Sequence, residues 1–197
     1  KCIISDVDGK KYCVRERHKL ELAADLLAKV TERMTKLVKH MEKEYPENPD
    51  VQRLVGNYRP NRISETLPTS TLTAYSENKG QKIAFCLNKS KDGNKLIDLN
   101  TLTFVAIHEL GHLMTESVGH KPEYWSNFKF LLQNGANIYR RTYTKKTTLQ
   151  IAEENHRPEI IEILLEFLKE QPSHKILEKE TDPWLGNGDC EVWVGDR

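Results

Sequence analysis

The sequence first excludes the membrane-spanning and disulfide-rich classes of protein, because it lacks the features that they need. No apolar run in its 197 residues reaches transmembrane length, so a membrane is not expected as a partner. Its four cysteines, Cys2, Cys13, Cys86 and Cys190, include no C-x-x-C pair, which argues against a zinc ribbon and a disulfide framework. Cys2 and Cys13 lie on strands that are predicted to face each other, so the sequence leaves open one disulfide between them. This cysteine usage favours a reducing intracellular compartment, cytoplasmic or nuclear.

A large excess of one charge is missing as well. The net charge is +1, so composition does not favour nucleic acid or a membrane surface as a partner. With 38% hydrophobic and 30% charged residues, the composition is typical of a soluble protein, and the length allows one substantial core with a small appended module. The chain begins at Lys1 rather than Met, so the sequence leaves open whether a targeting segment precedes it.

The most informative stretch runs from Thr101 to His120, TLTFVAIHELGHLMTESVGH, and contains a His-Glu-x-x-His motif at residues 108–112. Two imidazoles four residues apart lie on one face of a helix, so both can reach one Zn²⁺. The apolar residues before the motif predict a buried helix, with Asn100 as its N-cap. Surface histidines on an ordinary helix are the alternative. The context favours a metal, because two histidines and a glutamate are costly to bury without one.

A zinc site in a hydrolase takes three protein ligands and keeps one position for water. His108 and His112 supply two of them, and His120 is the predicted third. A continuous helix would carry His120 about 12 Å further along its axis, so we expect the helix to end near residues 115–118. Gly119 then permits the positive φ that such a chain reversal commonly uses. The alternatives for the third ligand are Glu116, Glu123 and a distant histidine such as His156.

Glu109 is the predicted general base of this site. It would take a proton from a zinc-activated water, whose pKa the metal lowers towards 7, and later pass that proton to the leaving amine. Tyr124 is a candidate donor to the developing oxyanion, although helix packing is the preferred interpretation of Tyr124 and Trp125. The motif therefore predicts a zinc-dependent hydrolase.

The rest of the pattern predicts an α+β domain. Residues 2–15 predict a β-hairpin with its turn at Asp8-Gly9, and apolar residues at helical spacing predict a long helix from about Arg17 to Glu44. Further along the chain, the pattern predicts a short helix at 50–55, an ordered loop at 57–71, and a second hairpin formed by 72–75 and 82–87. The strand 82–87 could bind an extended peptide by strand addition at a sheet edge. A core strand with no ligand role is the alternative.

Together these segments resemble the WLM metalloprotease family, which is related to the SprT-like proteases. The resemblance covers roughly residues 5–133, and its most specific parts are HELGH and the following GHKPEYW. It implies a zincin-like minimal protease fold in which His108, His112 and His120 hold Zn²⁺ and Glu109 is the catalytic acid/base. It also implies protein substrates, including proteins crosslinked to DNA, so nucleic acid enters as a partner by resemblance only. The better-known members place their third histidine closer to the second than this chain does.

From Phe128 onwards the sequence resembles an ankyrin repeat. Leu131-Leu132 recur as Leu164-Leu165, at the 33-residue period of that repeat. A plain helical hairpin of residues 147–155 and 158–171 is the alternative. One repeat cannot bury its own faces, so we expect it to pack on the protease domain or on a protein partner.

The predicted organisation is thus a zincin-like metalloprotease domain at 1–133, an ankyrin-like helical segment at 134–171, and a tail of unknown structure at 172–197. The predicted function is a zinc-dependent metalloendopeptidase that cleaves protein substrates. The alternative is a non-catalytic scaffold that binds a protein through the ankyrin-like segment, with a structural or vestigial zinc site. Zinc-dependent hydrolysis of something other than a peptide is a third hypothesis that the motif leaves open.

Overall fold

Helices and two small β-sheets make up the described part of the chain in this computed structural model, which covers residues 1–88, 95–135, 150, 153 and 158–170. This mixed composition confirms the predicted α+β class. The elements, in chain order, are β1 (Cys2–Ile4), β2 (Lys11–Cys13), α1 (Leu20–Glu44), α2 (Pro49–Asn57), a 3-10 turn (Pro60–Arg62), β3 (Ile63–Glu65), β4 (Ala74–Glu77), β5 (Lys82–Phe85), α3 (Leu99–Met114), α4 (Pro122–Gly135) and α5 (Pro158–Glu170). Among the described helices, none combines the length and the apolar content needed to cross a bilayer.

The N-terminal hairpin is present as predicted. β1 and β2 pair antiparallel with Cys2 opposite Cys13, and a disulfide joins the two cysteines. Gly9 takes φ +70° in the connecting turn, a conformation that glycine adopts without steric cost. The bridge that the sequence left open is therefore formed. Disulfides are typical of oxidising compartments, so this feature does not support the predicted reducing compartment, which stays a prediction.

The long helix α1 provides one wall of the core. It ends at Glu44, ahead of Pro46, as predicted. Its buried residues recur at helical spacing and are Ala23, Ala24, Leu27, Ala28, Val30, Thr31, Met34, Leu37, Val38 and Met41. Met34 and Met41 fill the interior, as the sequence predicts for unbranched side chains. The opposite face of α1 is charged, which is the pattern of a helix packed on one side.

The second sheet has the strand order β3-β5-β4. β5 pairs parallel with β3 and antiparallel with β4, so the predicted second hairpin is confirmed. The predicted loop at 57–71 is wrong at Ile63–Glu65, because those three residues form β3. A strand of three residues is too short to show alternation in the sequence. β5 is the central strand, so it cannot accept a peptide by strand addition, and only its alternative role as a core strand agrees with the structure.

Glu65 connects this sheet to the segment that follows the N-terminal hairpin. Its side chain is almost fully buried, accepts the backbone N–H of Arg15 at 2.6 Å and forms an ion pair with Arg17. A buried carboxylate is tolerated only when it is paired and hydrogen-bonded in this way. The charged Glu65 therefore lies at a contact between two segments of the chain rather than in an exposed loop. This contact cannot be read from the sequence, which is why the sequence predicted a loop for this segment.

The motif helix α3 begins two residues earlier than its predicted N-cap implies. Oδ1 of Asp98 accepts the backbone N–H groups of Asn100 and Thr101, each at 3.0 Å. Asp98 is therefore the N-cap, and the prediction of Asn100 is wrong. A carboxylate at this position satisfies two free amides and interacts favourably with the positive end of the helix dipole. The helix ends at Met114 with Thr115 as its C-cap, at the near edge of the predicted range.

Helix α5 packs against α4 at the far end of the described chain. Ile160 and Leu164 of α5 are buried in the same core as Leu131 of α4. The ankyrin-like repeat depends on residues between 136 and 157 that lie outside the described ones, apart from residues 150 and 153. The tail at 172–197 lies outside them as well. The repeat therefore stays a prediction.

Candidate metal centre

Helix α3 and the loop that follows it bring three imidazoles together. His108 and His112 lie one turn apart on α3, and His120 returns to them after the helix has ended. Nε2 of His108 is 3.2 Å from Nε2 of His112 and 3.1 Å from Nε2 of His120. Ligand atoms of all three lie within 4.8 Å of one another. Zinc–nitrogen bonds of about 2.0–2.1 Å at tetrahedral angles would separate two ligand nitrogens by about 3.3 Å. The cluster thus has the dimensions of a site for a single zinc ion.

The chain reversal that returns His120 occurs where the sequence predicts it. Gly119 has φ +84°, a conformation that other residues adopt only with strain. Trp125, on the first turn of α4, then stacks on the His120 ring with the two centroids 5.4 Å apart and the planes 26° apart. The ring of the third histidine is therefore supported by an aromatic side chain.

The end of α3 is held by side chains from other elements. The last carbonyl groups of a helix have no partner within it, and here several of them accept hydrogen bonds from neighbours. Asn57 Nδ2 donates to Leu113 O at 3.0 Å, and Arg53 Nη1 donates to Met114 O at 2.9 Å. Both donors come from α2, so α2 fixes the point at which the chain leaves the helix.

Tyr124 contacts His108 on the side away from the cluster. Its hydroxyl oxygen lies 2.6 Å from His108 Nδ1 and donates to the backbone oxygen of the same residue at 3.2 Å. With its proton on that carbonyl, the phenol oxygen accepts the Nδ1–H of His108. The Nε2 lone pair is then directed into the cluster, which is the tautomer that metal ligation needs. The fully buried Tyr124 is committed to His108 rather than to an oxyanion.

Gly111, inside the motif, makes room for this contact. A Cβ atom at residue 111 would lie 2.9 Å from Cε2 of the Tyr124 ring, closer than carbon atoms pack. The glycine therefore lets α4 approach α3 closely enough for the Tyr124 hydroxyl to reach His108. The His-Glu-x-x-His motif does not specify the residue at position 111, so the motif alone does not predict a glycine there.

Glu109 faces the sheet from the same helix. Its side chain is 4% exposed, and burial raises the pKa of its carboxyl to about 7, although a hydrogen bond with Ser76 acts in the opposite direction. Ser76 lies on β4, so this bond places the edge strand beside the glutamate. The sequence did not predict the contact of Ser76, because no local pattern links a serine on a strand to Glu109, which lies 33 residues later in the chain.

His112 is held in the form that binds metals. Burial, together with the nearby charges of His120 and Lys79, lowers the pKa of its imidazole to about 4. The ring is therefore neutral at neutral pH, and a neutral imidazole is the form that binds a metal ion.

The alternative third ligands are engaged elsewhere or are not described. Glu116 lies 3.6 Å from the Arg53 guanidinium, and Glu123 accepts a hydrogen bond from the Ser117 hydroxyl at 2.8 Å. His156 lies outside the described residues. Within the described part of the chain, His120 is thus the histidine that joins the pair on α3.

Comparison with known proteins identifies relatives but no family. No family model matches the chain. Uncharacterized protein R325 of Acanthamoeba polyphaga mimivirus is 27% identical over 144 residues, which are 69% of this chain and 72% of that protein. Uncharacterized protein 136R of Invertebrate iridescent virus 6 is 32% identical over 66 residues, which are 33% of this chain and 36% of that protein. These names assign no activity.

Among solved structures, the chain is similar to the crystal structure of Wss1 from Saccharomyces cerevisiae. The TM-score is 0.47 at 16% sequence identity, and the match covers 61% of this chain and 82% of that chain. A likeness at this level is too weak to assign a function, which has to come from the residues of the site.

Proposed function

We propose that this protein is a zinc-dependent endopeptidase in which His108, His112 and His120 bind the metal and Glu109 is the general base. The observation that carries this proposal is the convergence of three Nε2 atoms, together with a buried glutamate that follows His108 directly on α3. Three imidazole ligands with a carboxylate next to them are the arrangement that hydrolytic zinc sites use.

The residues fit a zinc ion in their chemistry as well as in their spacing. The donor set is three imidazole nitrogens, which suit zinc among the common metals, and the Tyr124 hydroxyl orients one of them. A bound zinc ion would polarise the scissile carbonyl and lower the pKa of a water molecule towards 7.

The protein's own contribution to the reaction is proton transfer and positioning. Glu109 takes a proton from the attacking water onto its carboxylate and then donates it to the nitrogen of the leaving amine. A hydrogen bond with Ser76 favours the charged form of this carboxylate. Tyr124 keeps the proton of His108 on Nδ1, so the ring cannot turn over without breaking its hydrogen bond to the Tyr124 hydroxyl. These groups are fixed by packing before any substrate arrives, which is the condition for efficient catalysis.

The substrate class proposed is an extended polypeptide at the edge of the sheet. β4 is an edge strand in the described sheet, and its Ser76 contacts Glu109. A peptide that paired with the outer edge of β4 would therefore pass beside the catalytic glutamate. The proposal thus assigns to β4 the peptide binding by strand addition that the sequence suggested for strand 82–87.

The test is peptidase activity of Glu109→Gln. We expect the purified wild type to cleave an unfolded fluorescent protein substrate in the presence of Zn²⁺, both alone and with added DNA, because the family resemblance implies substrates crosslinked to DNA. Glu109→Gln should lose activity by about 10²-fold or more while keeping its zinc. Glu116→Gln, a nearby glutamate outside the cluster, is the matched control and should retain activity. Unchanged activity in Glu109→Gln would leave the non-catalytic scaffold as the better hypothesis.

The proposed organisation of the whole chain follows the sequence. We retain a zincin-like domain at 1–133, an ankyrin-like segment at 134–171 that would bind a protein partner, and a tail at 172–197 as predictions. An intracellular location, cytoplasmic or nuclear, is retained in the same way.

A further inference from the structure

Lys79 reaches from the turn between β4 and β5 to the loop that follows α3. Its Nζ atom donates to Thr115 O and Ser117 O, each at 2.8 Å, and lies 3.4 Å from His112 O. An ammonium group has three N–H donors, and here three carbonyl oxygens accept them. These carbonyls belong to the segment that separates the second histidine of the cluster from the third.

We propose that Lys79 is a positioning residue for the third metal ligand, because its ammonium fixes the loop that returns His120 to the other two histidines. This inference rests on the metal centre of the proposed function. Lys79 contacts no reacting atom in this scheme. It acts through the backbone of residues 115–117 and, through that backbone, on the place of the His120 ring.

The loop needs such an external partner. Once the chain leaves α3 at Met114, its carbonyl groups no longer point along a helix that can satisfy them. Arg53 and Asn57 bind the last carbonyls of the helix itself, whereas Lys79 extends beyond them to Ser117. A cation at the C-terminal end of a helix also interacts favourably with the helix dipole. The loop from Thr115 to His120 is therefore held by a charged side chain from the turn between β4 and β5.

The backbone of the turn indicates that the lysine is there for its side chain. Asn78 and Lys79 have φ +43° and +54°, a left-handed conformation that asparagine and glycine tolerate better than lysine. Strained residues of this kind persist when the surrounding structure requires them. The turn is also pressed against the end of α3, since a Cβ atom at Gly80 would lie 2.4 Å from Asn57 O and 3.0 Å from Leu113 Cδ2. This close approach brings the Lys79 ammonium within reach of the loop.

The position of Lys79 connects two parts of the site. The same hairpin carries Ser76, which contacts Glu109, and Lys79, which holds the loop of His120. The hairpin thus contacts both the proposed general base and the loop that carries the third ligand, whereas the N-terminal end of α3 is capped by Asp98.

The experiment measures zinc affinity of Lys79→Met by competition with a chromophoric chelator, in the wild type and in the His120→Ala background. Methionine keeps the length of the apolar stem and removes the ammonium. We expect the substitution to weaken zinc binding about tenfold or more in the wild type, and by less than about twofold when His120 is already absent. Lys82→Met, a lysine of the same hairpin that lies over the Tyr75 ring, is the matched control and should leave zinc affinity unchanged.

Three outcomes would overturn the inference. Unchanged zinc affinity in Lys79→Met would show that the loop does not need the ammonium. An equal loss in both backgrounds would show that Lys79 acts on the fold in general rather than through His120. A wild type that takes up no zinc would remove the metal centre itself, together with this role of Lys79. The experiment measures zinc affinity and not peptidase activity. If the protein binds zinc but cleaves no peptide, the proposed function is wrong, and the role of Lys79 can still be tested.

Discussion

Gly111 and Tyr124 are packed so closely that the first must be a glycine for the second to reach His108 of the proposed metal centre. A Cβ atom at residue 111 would lie 2.9 Å from the Tyr124 ring, and the hydroxyl of that ring lies 2.6 Å from His108 Nδ1. The small residue on α3 thus sets the distance to α4, and that distance sets the orientation of a proposed ligand. Steric packing and metal chemistry are linked at this contact.

Gly111→Ala is therefore expected to weaken zinc binding. Alanine favours helices over glycine by up to about 1 kcal/mol, but here its methyl group would displace the Tyr124 ring from His108. We expect about a tenfold loss of zinc affinity, measured by chelator competition. Gly56→Ala on α2 is the control, because a Cβ atom there meets nothing within 4 Å. It should keep zinc affinity and raise the unfolding temperature. Equal zinc affinity in Gly111→Ala and the wild type would contradict this account of the contact.

Tyr124→Phe should weaken zinc binding without opening the core. The substitution keeps the buried ring and removes the hydroxyl that accepts His108 Nδ1–H, so the imidazole loses the partner that fixes its tautomer. Loss of such a partner typically costs about 10–100-fold in metal affinity. Isothermal titration with Zn²⁺ would measure the change. Tyr45→Phe, which removes a hydroxyl bonded to Asn134 at 3.1 Å, is the matched control and should bind zinc as the wild type does. The prediction fails if both variants bind zinc equally well.

Glu109 should make the stability of the metal-free protein fall as pH rises. Burial raises the pKa of this carboxyl from 4.5 to about 7, so the folded chain holds a proton that the unfolded chain releases. Its stabilising contribution is fully present below pH 4.5 and is lost as pH rises through about 7.

Urea unfolding in the presence of a chelator would measure this effect. Glu109→Gln cannot ionise, and comparison with the wild type cancels the contribution of His112, which both proteins keep. We expect the variant to gain stability relative to the wild type between pH 5 and pH 8, on the order of 3 kcal/mol. A difference between the two proteins that does not change with pH would show that the carboxyl is not desolvated.

Local patterns in the sequence were sufficient for much of the site. A spacing of four residues puts His108 and His112 on one helix face whatever the rest of the chain does. The need to reverse the chain predicted the positive φ at Gly119, which the structure confirms. The two hairpins were equally predictable, because their turns and alternating strands lie within a few residues of one another.

Contacts between segments distant in the chain could not be predicted in this way. The capping of α3 by Asp98 differs from the predicted Asn100 by only two residues, an ordinary error at a helix boundary. The parallel strand β3, by contrast, pairs with β5, 20 residues away in the chain, and its Glu65 contacts Arg15 and Arg17, 50 and 48 residues away. No periodicity within residues 57–71 carries that information.

The sequence by itself determined which residues can bind the metal, since ligand chemistry and helical spacing are local properties. Only the tertiary structure decided what holds them in place: Tyr124 from α4 contacts His108, and Lys79 from the β4–β5 turn contacts the loop of His120. A hydrogen bond between residues 16 or more positions apart depends on the packing of whole elements. That packing is a collective result of burying the core, and no single stretch of the chain contains it.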